Sequence, residues 1–287
     1  MTEYLIARLS ARMRRGERIA SITAYDYFTA LLAREADMDF VLVGDSLGNV
    51  VQGQPTTVPV TLDEMVYHTR IVCRHFPAER VILDMPFGTF KLDAADTVQH
   101  CARAFKDSGC GAVKLEGAGS SNLDAIETLT NAGVPVLCHL GLLPQRVHAD
   151  GGYRYQGKTP AQADKLLADA IALESAGALG VVLECVVEDV AARITDELAI
   201  PTIGIGSGPR CDGQIAVIHD ILGMLPGQAP AFAKQFVNLF GISGEAMREY
   251  MQEVKTNSDA DNRGREDAGN IAHTTTSGST ILYGGKG

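Results

Sequence analysis

The chain lacks any apolar run approaching the roughly 18 residues needed to cross a bilayer, and its N-terminus lacks the apolar core and small-residue cleavage site of a secretory signal. Both absences predict a soluble protein with no membrane partner. Arg8, Arg12, Arg14 and Arg15 suggest part of a transit peptide, but Glu3 and Glu17 interrupt the basic run, and no targeting role is expected. Cys-x-x-Cys pairs are missing as well. The six cysteines, Cys73, Cys101, Cys110, Cys138, Cys185 and Cys211, are scattered and read as reduced, mostly buried thiols of a cytoplasmic protein. Nor is there a basic excess: 25 Lys and Arg stand against 35 Asp and Glu, a formal net charge of -10. That balance argues against nucleic acid or an anionic membrane surface as the main partner, and an anionic small substrate needs local help to bind.

What is present is ordinary globular composition, 46% hydrophobic and 21% charged over 287 residues, with material for one large core. Eight short runs rich in Val and Ile recur, at residues 18–24, 40–44, 80–84, 111–116, 134–139, 180–184, 200–206 and 214–220. Near-continuous hydrophobicity without alternation is the pattern of parallel strands buried on both faces. Between them, Thr61 opens a capping box closed by Glu64, and Thr159, Pro160 and Gln162 mark a second helix start. Eight strands separated by helices suit an open doubly wound sheet or a closed barrel. The count, the length and the absence of an early Gly-x-Gly-x-x-Gly fingerprint favour the α/β class with a (β/α)8 TIM barrel.

GIGSG at 204–208 follows the seventh strand and reads either as a tight turn or as a close backbone approach to a ligand. Helical spacing at Phe232, Phe236, Leu239 and Phe240 predicts a C-terminal helix within residues 231–254, packed on the barrel or on a neighbouring subunit. Residues 1–254 are thus expected to form one barrel domain with N-terminal and C-terminal helices, and the Ser-, Asn- and Gly-rich residues 255–287 a disordered tail. Acidic and basic residues cancel in that tail, so the acid excess belongs to the barrel portion.

Polar residues end the apolar runs: Asp45 and Ser46, Asp84, Lys114 and Glu116, His139, and Glu184. In a (β/α)8 barrel these ends converge on the face that carries active sites. Side chains alternate along a strand, so Lys114 and Glu116 point the same way. Four carboxylates with no convergent thiolate pair suit a hard, oxygen-seeking dication, Mg²⁺ before zinc. Asp45 and Asp84 are the best direct ligands, and Glu116 ligates or acts through water. Glu184, across the barrel from Asp45, is placed to take a proton from a bound substrate. His139 reads as a satisfied core imidazole or as an orienting or proton-carrying group in the pocket. Cys138 and Cys185 point outward as packing residues. The long connection at 141–160 is surface cover or a lid, with Tyr153, Arg154 and Tyr155 available to contact a large flat ligand.

At these residues the chain resembles the ketopantoate hydroxymethyltransferase (3-methyl-2-oxobutanoate hydroxymethyltransferase) family. The similarity runs through ITAYDY (22–27), VGDSLG (43–48), residues 51–70, LDMPFG (83–88), VKLEG (113–117), HLGLLPQ (139–145), LECV (183–186) and residues 203–214. The resemblance implies a barrel of the phosphoenolpyruvate/pyruvate-binding superfamily and a Mg²⁺-dependent transfer, one ion per subunit. In that reaction a hydroxymethyl group passes from 5,10-methylenetetrahydrofolate to 3-methyl-2-oxobutanoate, giving 2-dehydropantoate and tetrahydrofolate in pantothenate synthesis. It places metal ligands at Asp45, Asp84 and Glu116, keto-acid contacts at Asp45, Ser46, Asp84 and Lys114, and the proton acceptor at Glu184. It also implies a homo-oligomer, typically a decamer. The alternatives are another 2-oxo acid lyase or mutase of the superfamily, against which the missing Lys-x-Cys-Gly-His-type loop weighs, and a noncatalytic keto-acid-binding barrel.

Overall fold

The computed structural model describes residues 4–152, 154–227 and 229–257. Two compact units divide the chain, residues 1–240 and 241–287. In the first, eight parallel strands close into a barrel in sequence order: β1 Ile19–Thr23, β2 Phe40–Val43, β3 Val81–Asp84, β4 Ala112–Glu116, β5 Val136–Gly141, β6 Gly180–Glu184, β7 Thr202–Ile205 and β8 Gly213–Ala216. The longer helices are α1 Leu5–Arg15, α2 Tyr27–Glu35, α4 Leu62–His75, α5 Ala94–Ser108, α6 Ser120–Asn131, α8 Pro160–Ser175, α9 Glu188–Glu197 and α11 Leu239–Asn257, with short turns α3 Leu47–Val50, α7 Val147–Asp150 and α10 Ile218–Leu222. No described helix is long and apolar enough to cross a membrane. All six cysteines are free, and all but Cys73 are buried.

Local chemistry sets the helix starts. Thr61 with Glu64 and Thr159 with Gln162 form the expected reciprocal boxes, with Pro160 in the first turn of α8. Asp26 with Thr29 adds one at α2 that the sequence pattern did not single out.

Two apolar layers result. Outward residues of the strands, Cys138 among them, pack beneath the helices. Inward residues form a second cluster in the lower barrel, including Phe40, Ile82, Leu137, Val182 and Ile203, closed below by Leu5 and Leu9 of α1. The plug is latched by charge. Arg8 Nε and Arg12 Nε donate to Asp39 Oδ1 at 2.8 and 2.9 Å, while Asp39 Oδ2 accepts from the Ala20 amide at 2.9 Å. Asp39 is buried, and two guanidiniums plus an amide supply what its lost hydration did.

Three expectations need adjustment. The eighth run is strand only to Ala216, because the chain then leaves the sheet and Ile218 begins α10, its amide bonded to Thr23 Oγ1 at 3.0 Å. The C-terminal helix begins at Leu239 rather than near 231. Gly227 and Pro230 precede the segment, and the Phe236 amide is spent on Ile221 O at 2.7 Å, outside any helix ladder. Lys255, Thr256 and Asn257 continue α11, and the rest of the expected tail, 258–287, lies outside the described residues.

Candidate active site

Inside the barrel four strands, β3 to β6, turn from hydrocarbon to polar chemistry within two residues. Ile82 is followed on the same face by Asp84, Ala112 by Lys114 and Glu116, Leu137 by His139, and Val182 by Glu184. Strand register places Asp84 beside Lys114, Glu116 beside His139, and Glu184 beside Gly141. Gly141 is obligatory there, since a Cβ would collide with Glu184 O and the backbone has φ +94°. His139 is therefore not the last residue of its strand; β5 runs two residues further and carries the chain past β6.

A cavity of about 110 Å³ is lined by all seven expected residues, Asp45, Ser46, Asp84, Lys114, Glu116, His139 and Glu184. Lys114 Nζ lies 2.7 Å from Asp84 Oδ1 and 3.8 Å from Glu116 Oε1. The Asp45 amide donates to Asp84 Oδ2 at 3.3 Å. Gln145 Nε2 donates to both Asp45 Oδ2 and Met85 O at 2.9 Å. Tyr25 Oη and Ser46 Oγ share a hydrogen bond of 2.8 Å. Across the cavity His139 Nε2 stands 3.3 Å from Glu184 Oε2. Neither ring nitrogen makes a well-formed hydrogen bond, although the Leu142 backbone and Glu184 both lie close to the ring.

Burial dominates the protonation equilibria. Glu184 is pushed up to about 8 by burial and then by the charge of Glu116, with Lys114 opposing. His139 is held well below its usual range by burial, reinforced by Lys114 and Lys91. The pair therefore favours its uncharged forms, a carboxylic acid beside a neutral ring. Asp45 is raised by burial and by Asp84 and Glu116; Glu116 is raised by burial against the pull of Lys114 and Lys91. For Lys114 burial acts downward, but Asp84, Glu116 and Asp45 outweigh it and keep the ammonium charged.

These side chains suit a dication in donor type rather than in a closed shell. Among the described residues no group of three or more His, Cys, Asp or Glu side chains is gathered tightly enough to hold a metal ion alone. Lys114 takes up one Asp84 oxygen, and like charges do not converge without a cation between them. Mg²⁺ asks for less, usually one or two carboxylates with water and substrate oxygens. Asp45 and Asp84 adjoin, and the two buried Glu116 oxygens make no well-formed hydrogen bond. The donor set therefore fits a hard cation.

The family profile for ketopantoate hydroxymethyltransferase matches residues 3–259. The chain belongs to that family. A 3-methyl-2-oxobutanoate hydroxymethyltransferase of Moorella thermoacetica is 48% identical over 250 residues, covering 87% of this chain and 93% of that protein. A protein of the same name from Halalkalibacterium halodurans is 50% identical over 239 residues, covering 83% and 85%. Among solved structures, 2,3-dimethylmalate lyase, a PEP mutase/isocitrate lyase superfamily member, aligns with a TM-score of 0.56 at 17% identity, covering 90% of each chain. Phosphonopyruvate hydrolase in complex with oxalate and Mg²⁺ aligns with a TM-score of 0.58 at 12% identity, covering 89% and 88%. At such identities these two likenesses speak for the fold.

In this member of the hydroxymethyltransferase family, three residues of the site were not singled out from sequence. Lys91 stands 3.5 Å from Glu116 Oε2, in a left-handed backbone of φ +74° that a non-glycine residue rarely adopts. Its signal is a lone lysine between β3 and the Asp93 cap of α5, in a loop on the catalytic face. Gln145 and Tyr25 lie inside matched motifs as uncharged residues, which a search for ionisable groups passes over. The 141–160 connection is tied to β6 through Gln156, whose amide bonds Cys185 O and whose carbonyl accepts from the Val187 amide. Arg154 and Tyr155 are exposed, and Tyr155 lines a separate cavity with Arg18 and Phe232; Tyr153 lies outside the described residues. Of the 204–208 glycines, Gly204 lies in β7 while Gly206 and Gly208 follow it in left-handed backbone, φ +64° and +78°, and a Cβ at Gly206 would meet the Phe232 ring at 2.9 Å.

Proposed function

We propose that the chain transfers a hydroxymethyl group from 5,10-methylenetetrahydrofolate to 3-methyl-2-oxobutanoate, yielding 2-dehydropantoate and tetrahydrofolate. What carries the reading is one small cavity in which a lysine is held among carboxylates while an uncharged imidazole faces an isolated, proton-hungry carboxyl, in a chain of this family. Asp45 and Asp84, with Glu116 directly or through water, would hold one Mg²⁺ per subunit. A dication held there would supply Lewis-acid charge that makes the C3 proton of a 2-oxo acid more acidic.

The chain's own groups do the rest. Asp45, Ser46, Asp84 and Lys114 line the keto-acid subsite, and the Tyr25 hydroxyl fixes the Ser46 rotamer. Lys114 is charged before substrate arrives, so its stabilisation of developing negative charge needs no reorganisation. In its ionised form Glu184 removes the C3 proton, and the same burial that raises its proton affinity makes that carboxylate the stronger base. His139, 3.3 Å away, orients that carboxylate and contacts the keto acid. The nucleophilic C3 then takes the one-carbon unit. Overall one water is consumed, its oxygen becoming the new hydroxyl; its second proton and the proton lost from C3 end on the two folate nitrogens. Folate is the carrier, and the protein positions it.

The four carboxylates outnumber Lys114 by three, and a dication with Lys91 at the rim brings the site close to neutrality. The same proposal carries a homo-oligomer, a decamer by family resemblance, which sedimentation velocity measures directly. The deciding assay is turnover of 3-methyl-2-oxobutanoate with and without methylenetetrahydrofolate, and with and without chelator. Product should require both folate and a divalent ion; product without folate sinks the transfer reading in favour of a lyase or mutase.

A further inference from the structure

The reaction cavity, about 110 Å³, holds a five-carbon acid and little more. A second cavity of about 720 Å³ adjoins it, with Glu116 in both walls. That volume lies in the range of sites for drug-sized ligands, about 300–1,000 Å³. Its walls are graded. The inner end is made by the turn after β4, Gly117, Ala118 and Gly119, leading into α6. The Gly119 cap has no side chain, so the first turn of α6 has no side-chain cap hydrogen bond. Beside it Asn122 is 1% exposed; its Nδ2 donates to Glu116 O and Gly117 O, which fixes the amide orientation and leaves Oδ1 without a partner. A buried unpaired acceptor is costly unless a ligand supplies a donor. The middle is apolar, with Leu140, Leu143 and Leu166. At the mouth stand Arg146 and Lys165, both exposed and, among the described residues, paired with the carboxylate four residues on, Asp150 and Asp169. Such pairs are weak and exchange readily for a ligand carboxylate.

We infer that this cavity seats the folate co-substrate, its pterin ring donating to Asn122 Oδ1 beside Glu116 and its glutamate tail meeting Arg146 and Lys165. The inference rests on the transfer reading above, and it assigns what that reading left open, where the one-carbon donor lies. Glu116, the wall the two cavities share, then marks where the one-carbon unit meets the 2-oxo acid while the bulk of the carrier stays outside the reaction chamber.

Gly119 offers a clean block. Its backbone is extended, φ -67° and ψ 155°, and an added Cβ meets no atom within 4 Å. Tetrahydrofolate is titrated calorimetrically into the full chain with Mg²⁺ and 3-methyl-2-oxobutanoate present. Gly119→Leu should weaken its binding by about tenfold or more, and should weaken 6-methyltetrahydropterin, which has no tail, alike. The double variant Arg146→Ala, Lys165→Ala should weaken tetrahydrofolate by about fivefold and leave the tail-less pterin unchanged. Unaltered tetrahydrofolate affinity in a folded Gly119→Leu protein overturns the assignment. Should that variant melt early, the double variant decides, because equal loss for tailed and tail-less ligands overturns it as well. The functional reading is tested apart, on the unmodified chain: exchange of the C3 proton in D₂O with no binding of tetrahydrofolate sinks the transfer reading itself.

Discussion

Below the level of Ile82 and Leu137 the barrel interior is a hydrocarbon plug closed by Leu5 and Leu9; one two-residue step higher the same strands present Asp84, Lys114, Glu116, His139 and Glu184. The lower half holds the strands together by excluding water. The upper half removes charges from water and relies on partners to tolerate it. One set of backbone hydrogen bonds serves both, so the chemical half is kept rigid by a half that does no chemistry. Substitutions should separate the two: above the step they should change rates and pH dependence, below it only stability.

The largest effect is expected at Glu184. Glu184→Gln keeps the shape and removes the base, so C3 proton exchange of 3-methyl-2-oxobutanoate, followed by NMR in D₂O with Mg²⁺, should fall by about a thousandfold. Unchanged exchange would remove Glu184 from its assigned role. Next comes Lys114→Met. It strips the ammonium from between Asp84 and Glu116 and leaves buried carboxylates facing one another, at a cost of about 4 kcal/mol to the metal-free fold. Thermal melts should show Mg²⁺ recovering much of that loss, whereas recovery by Na⁺ at equal ionic strength would show that the lysine acts only as a bulk countercharge.

Leu9→Ala tests the lower half. Hollowing the plug should cost about 3 kcal/mol by denaturant titration while kcat per folded molecule stays put. A fall in kcat would mean that the two halves are not separable.

The smallest effect is a slope. Glu184 binds its proton more tightly folded than unfolded, so between pH 6.5 and its value of about 8 the native state of the metal-free chain carries a proton that the unfolded chain has released. Stability should therefore fall as pH rises through that window, by at most about 1.4 kcal/mol per pH unit from this group, and the raised Asp45 and Glu116 act with the same sign. Below pH 6.5 the depressed His139 opposes it, since the unfolded imidazole then gains a proton that the folded one refuses. Leu9→Ala should lower the whole curve without altering the slope; Glu184→Gln should make the slope shallower.

Much of this division was legible in the sequence because parallel strands buried on both faces leave an unbroken apolar signature, and a charged residue at the end of such a run is costly without a role. Asp84, Lys114, Glu116 and Glu184 stood out for that reason. The continuation of β5 past His139 did not, because Leu140 and Gly141 carry no polar mark and the bend depends on how closely β6 approaches. The last strand was overextended because Gln214 to Asp220 is apolar enough for strand or helix, and only closure against β1 decides where the sheet stops. Gln145 and Asn122 were silent for a different reason: an uncharged amide in a loop acquires meaning only when a distant backbone supplies its partners.

Gln145 shows how far apart those partners are. Its amide joins Asp45 and Met85, the first of them 100 residues earlier in the chain. During synthesis the ends of β2 and β3 emerge from the ribosome long before the residue that clamps them. Until that residue emerges, Asp45 lacks the amide that orients it. A chain halted before the β5 loop is left with the Asp45 carboxylate but without the amide that aims it.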